Sequence, residues 1–448
     1  MAKKKQIELT IEEKLQNALV SKEEQPYKIP NNWCWVRLES INKYKSETLN
    51  PKNAMEKMFE LYSVPSFDNK YPEILIGKDI GSNKYIVKKN DILLCKINPR
   101  INRVWQVYQH TNFGQICSSE WIVIRNEILN KSFLRYYFTS EYFRNRLCEN
   151  VSGVGGSLTR AKPKLVQLYE VPLSPINEQQ RIVNIIESLF AKLDRAKELI
   201  ENTLAQFEQN KMAILHKAFT GELTAKWRKE NNIDLSSWEK IKLGKVLLPM
   251  QTKKPTGQFF RYIDIDAIDN KRQIVKAPKL ILTEKAPSRA SRGVETGNIL
   301  FSMVRPYLKN IAQIDSDLSD CIASTGFYVC RCKPELNSRF LYYLFIFDKT
   351  IDYLMQFMKG DNSPSIRKDD LLNMKIDLPT IEEQQEIVNI LDKLLAKYNK
   401  IKNLEQQLEK IELLKKAILA KAFRGELGTN NPDEESAENL LKEILAEK

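Results

Sequence analysis

A chain of 448 residues is too long for one hydrophobic core, and at about 100–200 residues per domain it predicts two to four. Lysine and arginine total 70 against 57 acidic residues, a formal net charge of +13, which attracts polyanions at long range, nucleic acid first among them. No apolar run approaches the ~18 residues of a membrane span, and Met1-Ala-Lys-Lys-Lys5 leads into no apolar segment, which argues against membrane insertion and secretion.

In chain order, the first predicted element is a short helix over 10–19, opened by a Thr10–Glu13 capping box. Trp33-Cys-Trp-Val-Arg-Leu38 then begins a region of short apolar runs and turns. Asp91 to Ile97, closed by Pro99, and Trp121 to Ile124 read as buried strands, and Lys131 to Leu147 places aromatics at helical spacing. After Glu178-Gln-Gln-Arg-Ile-Val183 comes a long helix. Ile182, Ile186, Leu189, Leu193, Ala196, Ile200, Thr203, Phe207 and Ile214 follow a four-three spacing, with polar Asn210 at one seam position. Lys217-Ala-Phe-Thr-Gly-Glu-Leu223 closes it, with Gly221 as the C-cap.

The series then recurs in the same order. Trp238 stands 205 positions after Trp33, Asn298-Ile-Leu-Phe-Ser-Met-Val-Arg-Pro306 stands 207 after Asp91 to Pro99, and Phe340 stands 207 after Phe133. Ser157-Leu-Thr-Arg160 is matched with Pro364-Ser-Ile-Arg367, arginine on arginine. Glu383-Gln-Gln-Glu-Ile-Val388 and Lys421-Ala-Phe-Arg-Gly-Glu-Leu427 complete the second unit. Its helix carries Ile387, Leu391, Leu394, Tyr398, Ile401, Leu404, Leu408, Ile411 and Ile418, with a stammer expected over 398–404. A constant order at a near-constant offset establishes an internal repeat.

One such stripe would suit a helix lying on its own domain. Two repeated helices with equal seams satisfy each other instead, most economically as an antiparallel pair about a pseudo-twofold axis. Each would run ~40 residues, or ~60 Å at ~1.5 Å per residue. The expected fold class is therefore α+β: two tandem globular domains of about 140 residues joined by two long antiparallel coiled-coil helices.

Such a molecule can dock its two halves on two half-sites of duplex DNA, in inverted orientation and with different sequences. The candidate contacts sit in loops. Lys96, Asn98, Arg100, Asn102 and Arg103 follow the first Pro-closed strand, and Arg305, Tyr307, Lys309 and Asn310 follow its repeat. Ser157, Thr159, Arg160 and Lys162 lie in or after a glycine-rich loop answered by Ser363, Ser365, Arg367 and Lys368, while Arg289 and Arg292 have no evident twin. Arginine reads guanine and asparagine reads adenine through paired hydrogen bonds, whereas lysine, hydroxyls and backbone amides hold phosphate.

Catalytic constellations are missing. The chain has no phosphate-binding glycine loop, no dinucleotide fingerprint and no zinc-protease helix, and His110 and His216 leave little general-base material. Paired acids such as Asp264 with Asp266, or Glu382 with Glu383, read as solvated. Cys330-x-Cys332 lacks zinc spacing, and the seven cysteines, most among apolar neighbours, predict reduced thiols in a cytoplasmic protein. A non-catalytic DNA binder is expected. The alternatives are a coiled-coil scaffold for protein partners that does not bind DNA, and a self-sufficient nuclease or methylase.

Three stretches resemble a known family. Ile29-Pro-Asn-Asn-Trp-Cys-Trp-Val-Arg-Leu38, Pro172-Leu-Ser-Pro-Ile-Asn-Glu-Gln-Gln-Arg-Ile-Val183 and Ile214 to Leu223, with their second-unit versions, are together similar to type I restriction–modification specificity subunits (HsdS) over about residues 26–427. The resemblance implies a target-recognition domain over 26–175 and a second over 227–378, each reading part of a split double-stranded DNA target. It further implies conserved spacer helices over 176–226 and 379–428, which set the gap and bind two modification (methyltransferase) subunits, joined by restriction subunits. S-adenosylmethionine, ATP and magnesium would belong to those partners, with no cofactor in this chain. Glu386 departs from the pattern, standing where the first unit has Arg181. Residues 1–25 and 429–448 flank the repeat as a helical extension and a tail, expected either to pack or to stay disordered.

Overall fold

The computed structural model describes residues 9–152, 159–398 and 402–447. It forms two units, Met1–Glu198 with Gln407–Lys448, and Leu199–Gln406, and the divisions fall inside the long helices.

In the first unit, strand Cys34–Arg37 pairs antiparallel with Glu170–Leu173, which ties the two ends of the globular region together. Between them, Ile92–Cys95 is the centre of a three-stranded antiparallel sheet, flanked by Val104–Gln106 and Trp121–Ile124. All four residues of Ile92–Cys95 are buried, as a continuous apolar run requires. A five-stranded sheet holds Met58–Tyr62 parallel to Gly114–Ser118 at its heart.

The second unit repeats this plan. Glu239–Lys242 pairs with Lys375–Leu378, and Ile299–Ser302 is flanked by Ile311–Gln313 and Phe327–Cys332. Phe259–Ile263 again runs parallel to a later strand, Ile322–Ser324. Helical spacing at 131–147 resolves into two helices, Lys131–Thr139 and Glu141–Glu149, because Ser140 turns extended and caps the second through the Phe143 amide. The second unit breaks likewise into Ser338–Ile346 and Asp348–Met355.

The first long helix runs Ile176–Phe219, and the second runs Ile381–Tyr398 and Lys402–Phe423; the expected stammer lies largely outside the described residues. Within the first unit they are antiparallel, since Asp194 pairs with Lys415 and Lys197 with Glu412. Their seams are uneven: Ile182 and Ile186 are wholly buried, whereas Leu189, Leu193 and Ala196 are half-buried. Burial is deepest where the helix ends meet the globular core. Phe423 sits 5.2 Å from both Phe133 and Tyr137, and in the second unit Phe219 sits 5.4 Å from Phe340. Gly221 and Gly425 close the helices at φ +80° and +74°, and a Cβ at Gly425 would stand 2.3 Å from Pro30.

The repeat's short motifs are held at the start of each long helix. Gln179 Nε2 donates to the Ser174 carbonyl while its Oε1 accepts from the Asn130 amide, and Gln180 Oε1 accepts from Asn130 Nδ2. Gln384 and Gln385 hold Asn337 in the same way. Glu383 is no solvated acid: it is fully buried, accepting from Trp238 Nε1, Thr224 Oγ1 and Arg228. Burial without such donors would be prohibitive for a carboxylate.

The described parts of the flanking segments pack onto the first unit. Helix Ile11–Ala18, with its Thr10–Glu13 capping box, packs its Leu15 and Ala18 into the core shared with Leu440, Leu441 and Ile444 of helix Ala437–Ala446. Among the described residues no helix is long and apolar enough to cross a membrane, and no cluster is placed to hold a metal ion.

Candidate nucleic-acid interface

The two candidate loops of each unit lie side by side. In the first, the Asn98 amide donates to the Thr159 carbonyl (2.7 Å) and the Ala161 amide to the Lys96 carbonyl (2.8 Å). In the second, the Arg305 amide donates to the Pro364 carbonyl (2.8 Å) and the Ile366 amide to the Met303 carbonyl (3.0 Å). Segments some sixty residues apart in sequence thus form one surface.

These bonds also correct the register of the repeat. Arg160 bridges to Ile97 and Ser365 to Val304, so Ser365, not Arg367, is the counterpart of Arg160. Arg367 answers Lys162, and each immediately precedes a short helix, Pro163–Val166 or Lys368–Leu372. The reason is a length change at the hairpin tip: seven residues separate Ser152 from Arg160, but five separate Lys359 from Ser365.

The first loop of each pair has one backbone shape. Asn98 and Asn102 flank a 3-10 turn with φ of 49° and 51°, and Arg305 and Lys309 flank its repeat with φ of 49° and 50°. Asparagine tolerates this left-handed region, whereas arginine and lysine pay roughly 1–2 kcal/mol each to adopt it. Strain of this kind collects where a surface must hold a fixed shape. The turn exposes Arg100 in one unit and Tyr307 in the other, so a shared frame presents different chemistry.

The remaining candidates divide into free and engaged groups. Arg305 is exposed and donates to the Asn362 carbonyl (2.8 Å), and Lys162, Ser363, Arg367 and Lys368 are exposed. Arg160 is ion-paired with Glu120 at 3.3 Å. Lys309 is taken up by Asp348 and the Ile346 carbonyl, and Asn310 is buried in strand pairing with Ser302. Ser157 lies outside the described residues. Arg289 and Arg292 fall at an edge strand, Ala290–Gly293, of the second unit's other sheet rather than in the paired loops. That strand does have a twin, Lys84–Ile86, since each pairs antiparallel with the strand that follows the parallel crossover.

Buried Asn98 Oδ1, Asn102 Oδ1, Arg103 Nε and Arg292 Nε have no hydrogen-bond partner among the described residues, as is also true of Arg135 Nε, Ser174 Oγ, Thr283 Oγ1 and Arg331 Nε away from the paired loops. Sequence reasoning missed Lys70. Partial desolvation lowers its pKa, opposed by the pull of Asp68 and reinforced by a smaller repulsion from Arg103, so a second cation stands within electrostatic reach of the loop. Lys70 lies 33 positions upstream of Arg103, and only the sheet brings them close. The cysteines are free and mostly buried, and burial raises the Cys34 thiol to about 12, which keeps it protonated and inert.

A family profile described as the type I restriction modification DNA specificity domain matches residues 30–206 and again 238–413. The chain belongs to this specificity family. The specificity subunit of the type I restriction enzyme EcoDI from Escherichia coli is 24% identical over 94% of this chain and 96% of its own. A solved chain from work on complex assembly and conformational transition of the type I R-M system superposes with a TM-score of 0.70, at 23% identity over 90% of this chain and all of the other. The HsdS subunit of Thermoanaerobacter tengcongensis superposes at 0.55, with 24% identity over the same shares. A type I specificity subunit is a DNA-binding, non-catalytic member of a restriction–modification system, with methyltransferase and restriction subunits as partners.

Proposed function

We propose that each unit reads one part of a split duplex target through its paired loops, and that two modification subunits, joined by restriction subunits, assemble on the long helices. Phosphate would be held by Lys96, Lys162 and Lys368 and by the loop hydroxyls, and bases read by Arg100, Arg103, Arg305 and Arg367. S-adenosylmethionine, ATP and magnesium belong to the partners, and the complex works in the prokaryotic cytoplasm. The observation that carries this reading is the shared left-handed turn with unlike tips, Arg100 against Tyr307. Footprinting the co-purified complex should protect two short sequences flanking an indifferent gap. A single continuous footprint, or none, overturns it.

A further inference from the structure

The start of the second long helix carries an open groove, whereas the equivalent face at the start of the first helix is covered by the chain's own segment. Its floor repeats: Gln180 Nε2 donates to Asn184 Oδ1 at 2.8 Å, and Gln385 Nε2 to Asn389 Oδ1 at 3.0 Å. What lies over the floor differs. In the first unit Arg181 forms two hydrogen bonds of 2.7 Å with Glu434 and a third, of 3.1 Å, with the Thr429 carbonyl, so a segment after the second helix is latched onto this face. In the second unit Glu386 replaces Arg181 and Glu382 replaces Asn177. Neither glutamate has an ion pair among the described residues. With Trp227, Ile381, Gln385 and Asn389 they line a cavity of about 510 Å³, and Ile381 is 39% exposed.

We propose that this groove docks an arginine-bearing segment of a modification subunit, with the guanidinium against the Trp227 ring and shared by Glu382 and Glu386. The inference rests on the assembly reading above. A planar guanidinium forks onto carboxylates and stacks on an indole face, which a lysine ammonium does less well. The groove lining carries two negative charges and no positive one, so a cation is the complementary occupant. The same helix face already holds an arginine–glutamate latch in the first unit, with the charges exchanged. The starts of the two long helices therefore offer unequal seats, one closed by the chain itself and one open.

The test titrates the purified modification subunit of the same system onto the full-length chain, followed by native mass spectrometry. For the variant carrying Glu382→Gln and Glu386→Gln, one copy should bind as in the wild type and the other about tenfold more weakly, the equivalent of 1.4 kcal/mol. Trp227→Ala should weaken the same copy. Both glutamates are solvent-accessible, so thermal unfolding followed by circular dichroism should not move, which separates lost docking from lost folding. Identical titrations for variant and wild type overturn the docking site while leaving the assembly reading intact. A wild-type chain that binds no modification subunit overturns both. A defect confined to recruitment of the restriction subunit overturns the assignment of the occupant.

Discussion

The two units bury the same carboxylate and satisfy it differently. Among the described residues Glu178 accepts only from neutral donors, Trp33 Nε1 at 2.7 Å with Thr429 Oγ1 and Asn430 Nδ2 at 3.0 Å. Glu383 keeps the tryptophan and threonine but takes Arg228 at 2.5 Å in place of the asparagine. Trp, Glu and Thr are therefore the common apparatus that joins a domain's opening, one helix's start and the other helix's end. The fourth partner is where the copies diverged. In the first unit the cation sits on the helix, as Arg181, and the acid on the following segment; in the second unit the cation sits on the segment, as Arg228, and the acids on the helix. This exchange leaves Glu386 without an ion pair among the described residues and makes the starts of the two helices chemically distinct.

Removing the fourth partner breaks the comparison most sharply. Arg228→Ala leaves a buried carboxylate without its cation and should destabilise the second unit by about 3–5 kcal/mol. Asn430→Ala removes one neutral bond and should cost the first unit only about 1–2 kcal/mol. Hydrogen exchange resolved by segment can compare residues 381–391 with 176–186 in each variant. Equal loss of protection in the two would show that the charge on Arg228 adds nothing to the node.

A smaller effect is expected at the loops, where the frame is shared and the tips are not. Arg100→Ala should relax recognition at one half-site by about 1–3 kcal/mol and leave the other unchanged. Lys309→Ala should leave recognition nearly intact, because Asp348 and the Ile346 carbonyl already engage that ammonium. Affinity panels against targets mutated in each half measure both. A Lys309→Ala defect as large as that of Arg100→Ala would mean that the Asp348 pair opens on DNA.

Much of the fold was legible because its signals were local or repeated. The Pro-closed runs at Ile92–Cys95 and Ile299–Ser302, the helix closing at Gly221 and the Thr10 capping box need only neighbours in sequence. The sheets were not legible, since Met58–Tyr62 meets Gly114–Ser118 across more than fifty residues and its own side chains do not announce that partner. The site was half legible for the same reason. Composition identified loops rich in arginine and asparagine, but whether a side chain is free depends on distant residues: Asp348 claims Lys309, Glu120 claims Arg160, and the fold delivers Lys70 to Arg103. Arginine matched to arginine misled the alignment at Arg160 and Arg367, where hairpin length and not identity sets the register.

The Arg181–Glu434 latch permits a gentler test of the same asymmetry, by pH. The hydrogen bonds from Arg181 hold the Glu434 carboxyl below its ordinary range, so the folded state favours the charged form. A lowered folded pKa contributes stability above the unfolded value, about 4.3, and loses it as pH falls through the folded value. Arg181 is partly exposed, so the contribution is that of a surface pair, on the order of 1 kcal/mol or less. Limited proteolysis between pH 7 and pH 3 should show residues 429–447 becoming more accessible in acid, and Arg181→Gln should show that accessibility already at neutral pH with a weaker acid dependence. The second unit supplies the control, because Arg228 there grips a fully buried carboxylate at a site where water does not compete. If acid loosened the two helix starts equally, the latch would not be what distinguishes them.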